Sequence, residues 1–424
     1  MKSTSKLAFI LAFALVLGLT SLVSAGTVPT AKPEEVGLSR VRLQRIHDLI
    51  QRYMDGGNFT GAVTLVARRG RIAHFEAQGL MDLESKKPMT RDAIFRIMSM
   101  TKPVVGVSIM LLIEEGKIRL SDPVSKFIPQ LKGLEVAVLL PEPPPSFFAP
   151  PAPPSSEPRF YKVPADREIT IRDLLTHTSG LVSGTISNRE NAKVVLKKGE
   201  TLADYIPRLA GVPLEFQPGT KWAYSAQARM NMLARVVEIV SGQDFDQFTR
   251  QRIFEPLGMK DTFFKIPDGA ASRIVTLYGK TPKGFQKQND LDFMNSPYFS
   301  GGGGLYSTAE DYLQFGQMLA DGGRLNGKQL LSPRMVEMMS SVFVLDTLPG
   351  RSPGEGFGLS MRVIGNSTAA ATALSNGCFG WSGAFGTHFW VDPKEKVVAI
   401  LMTQTMGFEI TLDYETAVMQ AIVD

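Results

Sequence analysis

The 424-residue sequence is 44% hydrophobic and 21% charged, with a formal net charge of +5, a composition that excludes disordered and collagen-like chains. Subtracting Lys2 and Lys6 leaves +3, and without basic runs so small an excess argues against a nucleic-acid or anionic-membrane partner. The single cysteine, Cys378, excludes an internal disulfide, so stability has to come from the core.

At the N-terminus, Lys2 and Lys6 precede the apolar run LAFILAFALVLGL, and VSA at Val23–Ala25 supplies small residues for cleavage. Residues 1–25 therefore read as an export signal. The run is short for a membrane span, which needs roughly 20 apolar residues, and no cysteine near VSA offers a lipid attachment point. An exported protein is expected, periplasmic or secreted, without a stable membrane anchor.

After PEEVGLS, the segment SRVRLQRIHDLIQRYMDGG spaces Val41, Leu43, Ile46, Leu49, Ile50 and Tyr53 at helical intervals and stops at two glycines. GAVTLVARRGRIAHFEAQG reads as two strands turning at Arg69–Gly70. Val104 to Ile113 is apolar almost all round, which marks a buried helix, with Gly116 as its stop. From 141 to 158 half the residues are proline, favouring an extended surface excursion. TIRDLLTHTSGL is a short helix with Thr170 and Asp173 in capping-box positions. LADYIPRL reads as helix, and a further apolar-periodic helix runs from about Gln227 to Val240. SGGGGLYSTAEDYLQFGQMLADGG has four glycines but no Gly-Lys-Ser/Thr, so it reads as a tight loop against neighbouring backbone. The helix that follows carries a capping box at Ser307 and Glu310. GFGLSMRVI, THFWVDP and KVVAILMTQT return to strands, and TLDYETAVMQAIV ends the chain as a helix.

Strands at both ends with helices between them imply an α/β fold of the α+β type: one antiparallel sheet assembled from both termini, with an inserted, mostly helical lobe. The expected layout is one domain over residues 26–424. Its α/β part covers about 33–110 and 300–424, its lobe about 111–299, and a cleft should lie between them.

There is no Gly-x-Ser-x-Gly elbow, no paired-histidine metal motif and no Gly-x-Gly-x-x-Gly after a strand. Ser-x-x-Lys remains, at Ser99 and Lys102 in FRIMSMTKPVVG. The pattern alone is weak, since STSK at Ser3–Lys6 carries it without meaning. At Ser99, however, it opens a buried helix whose start Pro103 pins nearby. Three residues apart on one turn, hydroxyl and ammonium share a face. A buried lysine of lowered pKa can help to take the serine proton, and a helix N-terminus favours the resulting oxyanion. A capping serine followed by a solvated lysine explains the same letters, and at this level the choice stays open. Tyr224, just after the Pro-Gly turn in FQPGTKWAYSA, becomes a competent base if Lys102 draws its pKa down from about 10; taken alone it reads as half-buried packing. In GCFGWSGAFGTHFWVDP, the small residues Gly380, Ser382, Gly383 and Ala384 let strand N–H groups approach a substrate closely.

SMTK, LLTHTSGL, PGTKWAYS, GGGGLYSTAEDY and GWSGAFGTHFWVDP, in this order and spacing, resemble the serine β-lactamase-related hydrolases over nearly the whole mature chain. The resemblance is nearest to the family VIII carboxylesterases, which share a fold with class C β-lactamases and D-Ala-D-Ala peptidases. It implies Ser99 as the acylated nucleophile, Lys102 as its activating lysine and Tyr224 as the general base. It implies an oxyanion hole from the Ser99 and Ala384 N–H groups, with Trp381, Ser382 and Gly383 where lactamases have Lys-Thr-Gly. The implied chemistry is acyl-enzyme hydrolysis with no cofactor and no metal. Two departures matter: YSA replaces Tyr-x-Asn, so Ala226 lacks a side-chain amide, and Trp381 replaces a lysine that would attract a substrate carboxylate. Both point to neutral small-molecule esters with apolar acyl or alcohol parts, and a short-chain or neutral ester is the expected substrate.

The alternatives on this scaffold are a β-lactamase, a D-Ala-D-Ala carboxypeptidase or D-aminopeptidase, and an acyltransferase. From another class comes a non-catalytic cell-wall binding module, against which the intact Ser99, Lys102 and Tyr224 argue. His177 is read as support for the loop near the site, His388 and Trp390 as packing, and His47 and His74 as surface or packing residues. Oligomeric state is not legible in the sequence.

Overall fold

Ser39 caps helix α1 (Arg40–Asp55) in the computed structural model, which describes residues 28–141 and 158–424. The expected export signal and most of the proline-rich stretch lie outside the described residues. Leu43, Ile46, Leu49 and Ile50 form the buried stripe of α1. Val41, expected on that stripe, is 82% exposed, because a residue two positions before Leu43 falls on the other side of a 3.6-residue turn.

The hairpin follows as expected, β1 (Gly61–Arg68) and β2 (Arg71–Asp82) turning at Arg69–Gly70. Every residue of β1 is buried, which makes it a central strand. Its neighbours are β2 on one side and the last strand of the chain on the other. With β3 (Lys87–Pro88), β4 (Glu355–Phe357), β5 (Arg362–Ile364), β6 (Phe379–Ser382), β7 (His388–Asp392) and β8 (Val397–Met402), the eight-stranded sheet runs β4-β5-β6-β7-β8-β1-β2-β3. All its pairings are antiparallel. The two chain termini thus build one sheet, with the helices of the middle inserted between β3 and β4.

Side chains alternate across the sheet. One face, with Val66, Trp390 and Leu401, packs on α1 and on α5 (Ile410–Met419) through Ile46, Ile50, Tyr414 and Val418. The other, with Val63, Leu65, Phe389 and Ile400, joins the main core. That core also holds α2 (Thr101–Glu114), α3 (Ala228–Ser241) and α4 (Ala309–Ala320). Helix α2 is the expected apolar helix. It is buried from Thr101 to Leu112, and Gly116 leaves it in the left-handed conformation.

The Thr170–Asp173 capping box is present. The cap of α4 is Thr308, one residue after the expected Ser307; its hydroxyl accepts from the Asp311 N–H at 3.1 Å. Ser307 is committed elsewhere, since Tyr306–Ser307 pairs with Phe95–Arg96. Strands Glu135–Leu139 and Phe160–Pro164 pair with Leu139 opposite Phe160, so the two flanks of the proline-rich stretch lie side by side. No helix among the described residues is long and apolar enough to cross a membrane.

Candidate active site

From the Phe95–Arg96 bridge the chain passes through one 3-10 turn, Met98–Met100, directly into α2. Met98 has φ of +47°, a conformation costly for a side chain with a Cβ and one that clusters at functional sites. The capping reading of Ser99 fails. The N-cap position of α2 is Met100, and no side chain caps it. Lys102 is not solvated either: it is fully buried. Its Nζ donates to Ser99 Oγ at 3.1 Å, to the Ala226 carbonyl at 2.6 Å and to the Gly302 carbonyl at 2.7 Å.

Tyr224 completes the group, its hydroxyl donating to Ser99 Oγ at 2.7 Å. The Lys102 ammonium lies 5.1 Å from the Tyr224 ring centroid. Burial pushes the Lys102 pKa below its ordinary value; Tyr224 opposes this and Arg229 adds to it. Burial, the largest single influence, pushes the Tyr224 phenol up, but the adjacent Lys102 charge together with the hydrogen bonds from Lys102, Ser99 and Trp381 outweighs it and the net shift is downward. The serine hydroxyl therefore sits between two groups whose protons exchange as one coupled system.

Two acceptors of Lys102 are backbone carbonyls that no residue type announces. Ala226, noted for the amide it lacks, contributes its carbonyl instead. The glycine run reaches Lys102 because it packs as the tight loop expected. A Cβ at Gly302 would lie 2.3 Å from Gln227 Oε1, and one at Gly301 would lie 2.7 Å from the Met230 carbonyl. Asn231 of α3 pins the run by accepting from Gly302 N–H and Ser300 Oγ, each at 2.9 Å.

Strand β6 pairs with β5 only through Phe379 and Gly380. Trp381 and Ser382 therefore run on beyond β5, giving an internal strand a local free edge. Ala384 lies in the turn after the strand rather than on it. That turn is pressed against the nucleophile segment: Thr387 Oγ1 donates to the Ile97 carbonyl at 3.1 Å, and a Cβ on Gly383 would lie 2.2 Å from the same oxygen. Only glycine permits that approach.

The Trp381 ring centroid lies 5.6 Å from that of Tyr224, 5.3 Å from Phe357 and 6.3 Å from His177, forming the expected apolar wall. His177 braces the tyrosine from three directions. Its ring stacks on Tyr224 at 4.9 Å, its Nδ1 accepts from the Ser225 N–H at 3.4 Å, and its carbonyl accepts from the Ala223 N–H at 3.1 Å.

Ser382 differs from the expectation. One position along from Trp381, its side chain turns to the α5 face of the sheet, where Oγ bonds His388 Nδ1 at 2.8 Å. His388 Nε2 in turn bonds Glu415 at 3.0 Å, and Glu415 bonds Arg362. His388 is thus the centre of a buried polar chain rather than plain packing. Glu415 belongs to the last helix, so nothing near His388 in the sequence signals it. Trp390 does pack, edge-on to Tyr414. His47 bonds Glu76 at 2.8 Å and half-buried His74 bonds Thr64 at 2.8 Å, so both are engaged outside the Ser99 hydrogen-bond group.

A family model described as Beta-lactamase matches residues 46–421 of this chain. Protein Rv1367c of Mycobacterium tuberculosis is 33% identical over 378 residues, covering 84% of this chain and 88% of that protein. Esterase EstB of Burkholderia gladioli is 28% identical over 410 residues, covering 91% and 95%. Among solved structures, EstCE1, titled a hydrolase with promiscuous acyltransferase activity, aligns with a TM-score of 0.74. Its identity is 26%, and the match covers 91% of this chain and 99% of that one.

Proposed function

This chain belongs to the beta-lactamase family and is a serine hydrolase of that superfamily, and on that premise we propose that it is a carboxylesterase acting through an acyl-enzyme on Ser99. The observation that carries the reading is the contact of Ser99 Oγ with both the Tyr224 hydroxyl, at 2.7 Å, and Lys102 Nζ, at 3.1 Å. Tyr224 takes the Ser99 proton as Oγ attacks the ester carbonyl, and Lys102 holds the electrostatics of that transfer. The Ser99 and Ala384 N–H groups stabilise the tetrahedral oxyanion. As that intermediate collapses, the C–O bond to the alcohol breaks and Tyr224 returns the proton to the leaving oxygen. Water then attacks the acyl-enzyme and gives a proton to Tyr224; as the second tetrahedral intermediate collapses, the bond from carbon to Ser99 Oγ breaks, Tyr224 returns the proton to Oγ, and the acid leaves.

The preference for an ester over a lactam or D-peptide rests on Trp381. An indole wall stands where a cation would attract the carboxylate of those substrates. The 28% identity to Esterase EstB along nearly the whole chain supports the same reading. The signal-like sequence of residues 1–25 favours export to the periplasm or medium.

The test is intact-mass detection of the acyl-enzyme with a nitrophenyl ester, a chromogenic cephalosporin and a D-Ala-D-Ala peptide, alongside phosphonate labelling of wild type and Ser99→Ala. Acylation by the ester with no labelling of S99A is expected. Strong peptide cleavage with negligible ester turnover overturns the substrate class, and labelling that persists in S99A removes Ser99 from its role.

A further inference from the structure

Arginine is almost never fully buried unless it is paired. Arg229 is 0% exposed, and its Nε, Nη1 and Nη2 all lack a hydrogen-bond partner among the described residues. Burial is the only influence on its pKa, so no carboxylate among the described residues acts on it either. An arginine keeps its proton in proteins. The core therefore carries a positive charge and a fork of N–H donors that the chain itself leaves unanswered.

The surroundings add positive character rather than relief. Arg229 is the second residue of α3, and long side chains on a helix lean back toward its N-terminus, which brings the guanidinium to the start of α3. No side chain caps that start. Gln227, in the capping position, instead accepts from Ser300 Oγ through Oε1 at 2.7 Å. The positive end of a 14-residue helix thus stays uncovered. Ser225, four residues before Arg229, is buried too, and its Oγ has no partner among the described residues. Lys102 Nζ sits on the Ala226 carbonyl at 2.6 Å, where the Arg229 charge acts on it. Two cations, a helix N-terminus and an uncommitted hydroxyl converge on residues 225–230, a stretch with no acidic residue.

A buried polar group without a protein partner marks the place of an ion or a water, and a buried charge calls for the ion. N–H donors converging at a helix start select an anion. Enclosure sets its size. A phosphate ester or a peptide carboxylate needs an opening for the rest of its molecule, and at a fully buried guanidinium a single-atom anion does not. We propose that Arg229 and the N-terminus of α3 bind a halide ion, chloride in ordinary solution, in the core near Lys102. The ion answers the guanidinium, shields Lys102 from its charge, and stabilises the folded chain in proportion to its occupancy.

The test is the thermal unfolding midpoint of the full chain in sodium bromide, exchanged against sodium gluconate at fixed ionic strength, for wild type and Arg229→Met. Gluconate is too large for an enclosed site, and R229M reports any general salt effect. The wild-type midpoint should rise and saturate, by about 3–5 °C once bromide stands about a hundredfold above Kd. In R229M the same exchange should give no saturating rise. Anomalous diffraction from wild-type crystals grown in bromide gives a second measurement that does not depend on the variant folding, and a bromide peak against the Arg229 guanidinium is expected. Equal responses of wild type and R229M, or crystals with no bromide peak at Arg229, overturn the proposal. Neither readout involves turnover, so failure here leaves the carboxylesterase reading standing, and absence of ester acylation leaves the halide site standing.

Discussion

Replacing Tyr224 by phenylalanine deletes one oxygen and keeps the ring that stacks on His177 at 4.9 Å and meets Trp381 at 5.6 Å. The deleted atom is the one 2.7 Å from Ser99 Oγ. A positioned base is worth about 10²–10⁴ in rate, or about 3–5 kcal/mol at 1.36 kcal/mol per tenfold. Y224F should lose that much in kcat for a nitrophenyl ester while KM moves little, because the cleft keeps its wall. The residual rate runs through Lys102, still 3.1 Å from Ser99 Oγ. The pH dependence has a definite sign. Burial raises the phenol, but the Lys102 charge and the hydrogen bonds around the hydroxyl together bring it below its ordinary value, so wild-type kcat/KM should rise with pH through an ionisation below about 10 and then level. In Y224F, Lys102 loses the neighbour that raises its pKa, so the remaining acid limb should move to lower pH. Steady-state rates from about pH 5 to 10, with the acyl-enzyme followed by intact mass, decide the matter. A Y224F enzyme within tenfold of wild-type kcat and with an unmoved profile would return Tyr224 to packing and refute the proton-transfer argument.

Trp381→Lys restores a cation beside Tyr224. Turnover of a carboxylate-bearing cephalosporin relative to a nitrophenyl ester should rise about 10–100-fold, the worth of a charged hydrogen bond, and an unchanged ratio would clear Trp381 of excluding anions. Arg229 is fully buried, none of its guanidinium nitrogens has a partner, and burial drives its pKa well below the ordinary value. In halide-free buffer, Arg229→Met should therefore raise the unfolding free energy, since an uncompensated buried charge costs several kcal/mol. Added to Y224F, where Lys102 carries the acid limb, the same change should shift that limb to higher pH, because a charge that depresses Lys102 is gone; a lower urea midpoint and a fixed limb would contradict both. Burial pushes the Asp311 carboxyl up to about 7 against the hydrogen bonds from Thr262 and the Asp261 N–H. The folded state then holds this proton more tightly than the unfolded chain, whose value is about 4, so stability from this group is full below about pH 4 and is lost as pH rises through about 7. The loss reaches about 4 kcal/mol, and Asp311→Asn should gain on wild type in urea midpoint at about pH 8 but not at about pH 4; equal differences at both would show that the carboxyl ionises normally.

The elements legible in the sequence are those that local geometry governs. A 3.6-residue stripe marks α1, an all-apolar run marks α2, and Arg69–Gly70 marks the hairpin turn, because helix period, burial of a continuous apolar stretch and left-handed turns are properties of neighbouring residues. Val41 shows the limit even there, since it sits in an apolar pattern but on the wrong side of the turn. The three-residue spacing of Ser99 and Lys102 is likewise local, and it named the pair without deciding between a cap and a nucleophile.

That decision belongs to contacts across the fold. Tyr224 reaches Ser99 from 125 residues away, and the Gly302 carbonyl reaches Lys102 from 200. These meetings depend on how the helical lobe closes on the sheet. Ala226 and Gly302 act through main-chain oxygens that every residue owns, so their letters cannot advertise them. Ser382 and Trp381 are adjacent, yet strand alternation sends one to His388 and Glu415 and the other to Tyr224. The sequence by itself therefore determined the elements and the candidate nucleophile, because local geometry and residue identity suffice for those. The burial of Lys102 and the proton network were decided only by tertiary packing, because desolvation and cross-lobe distances exist only once the core has closed.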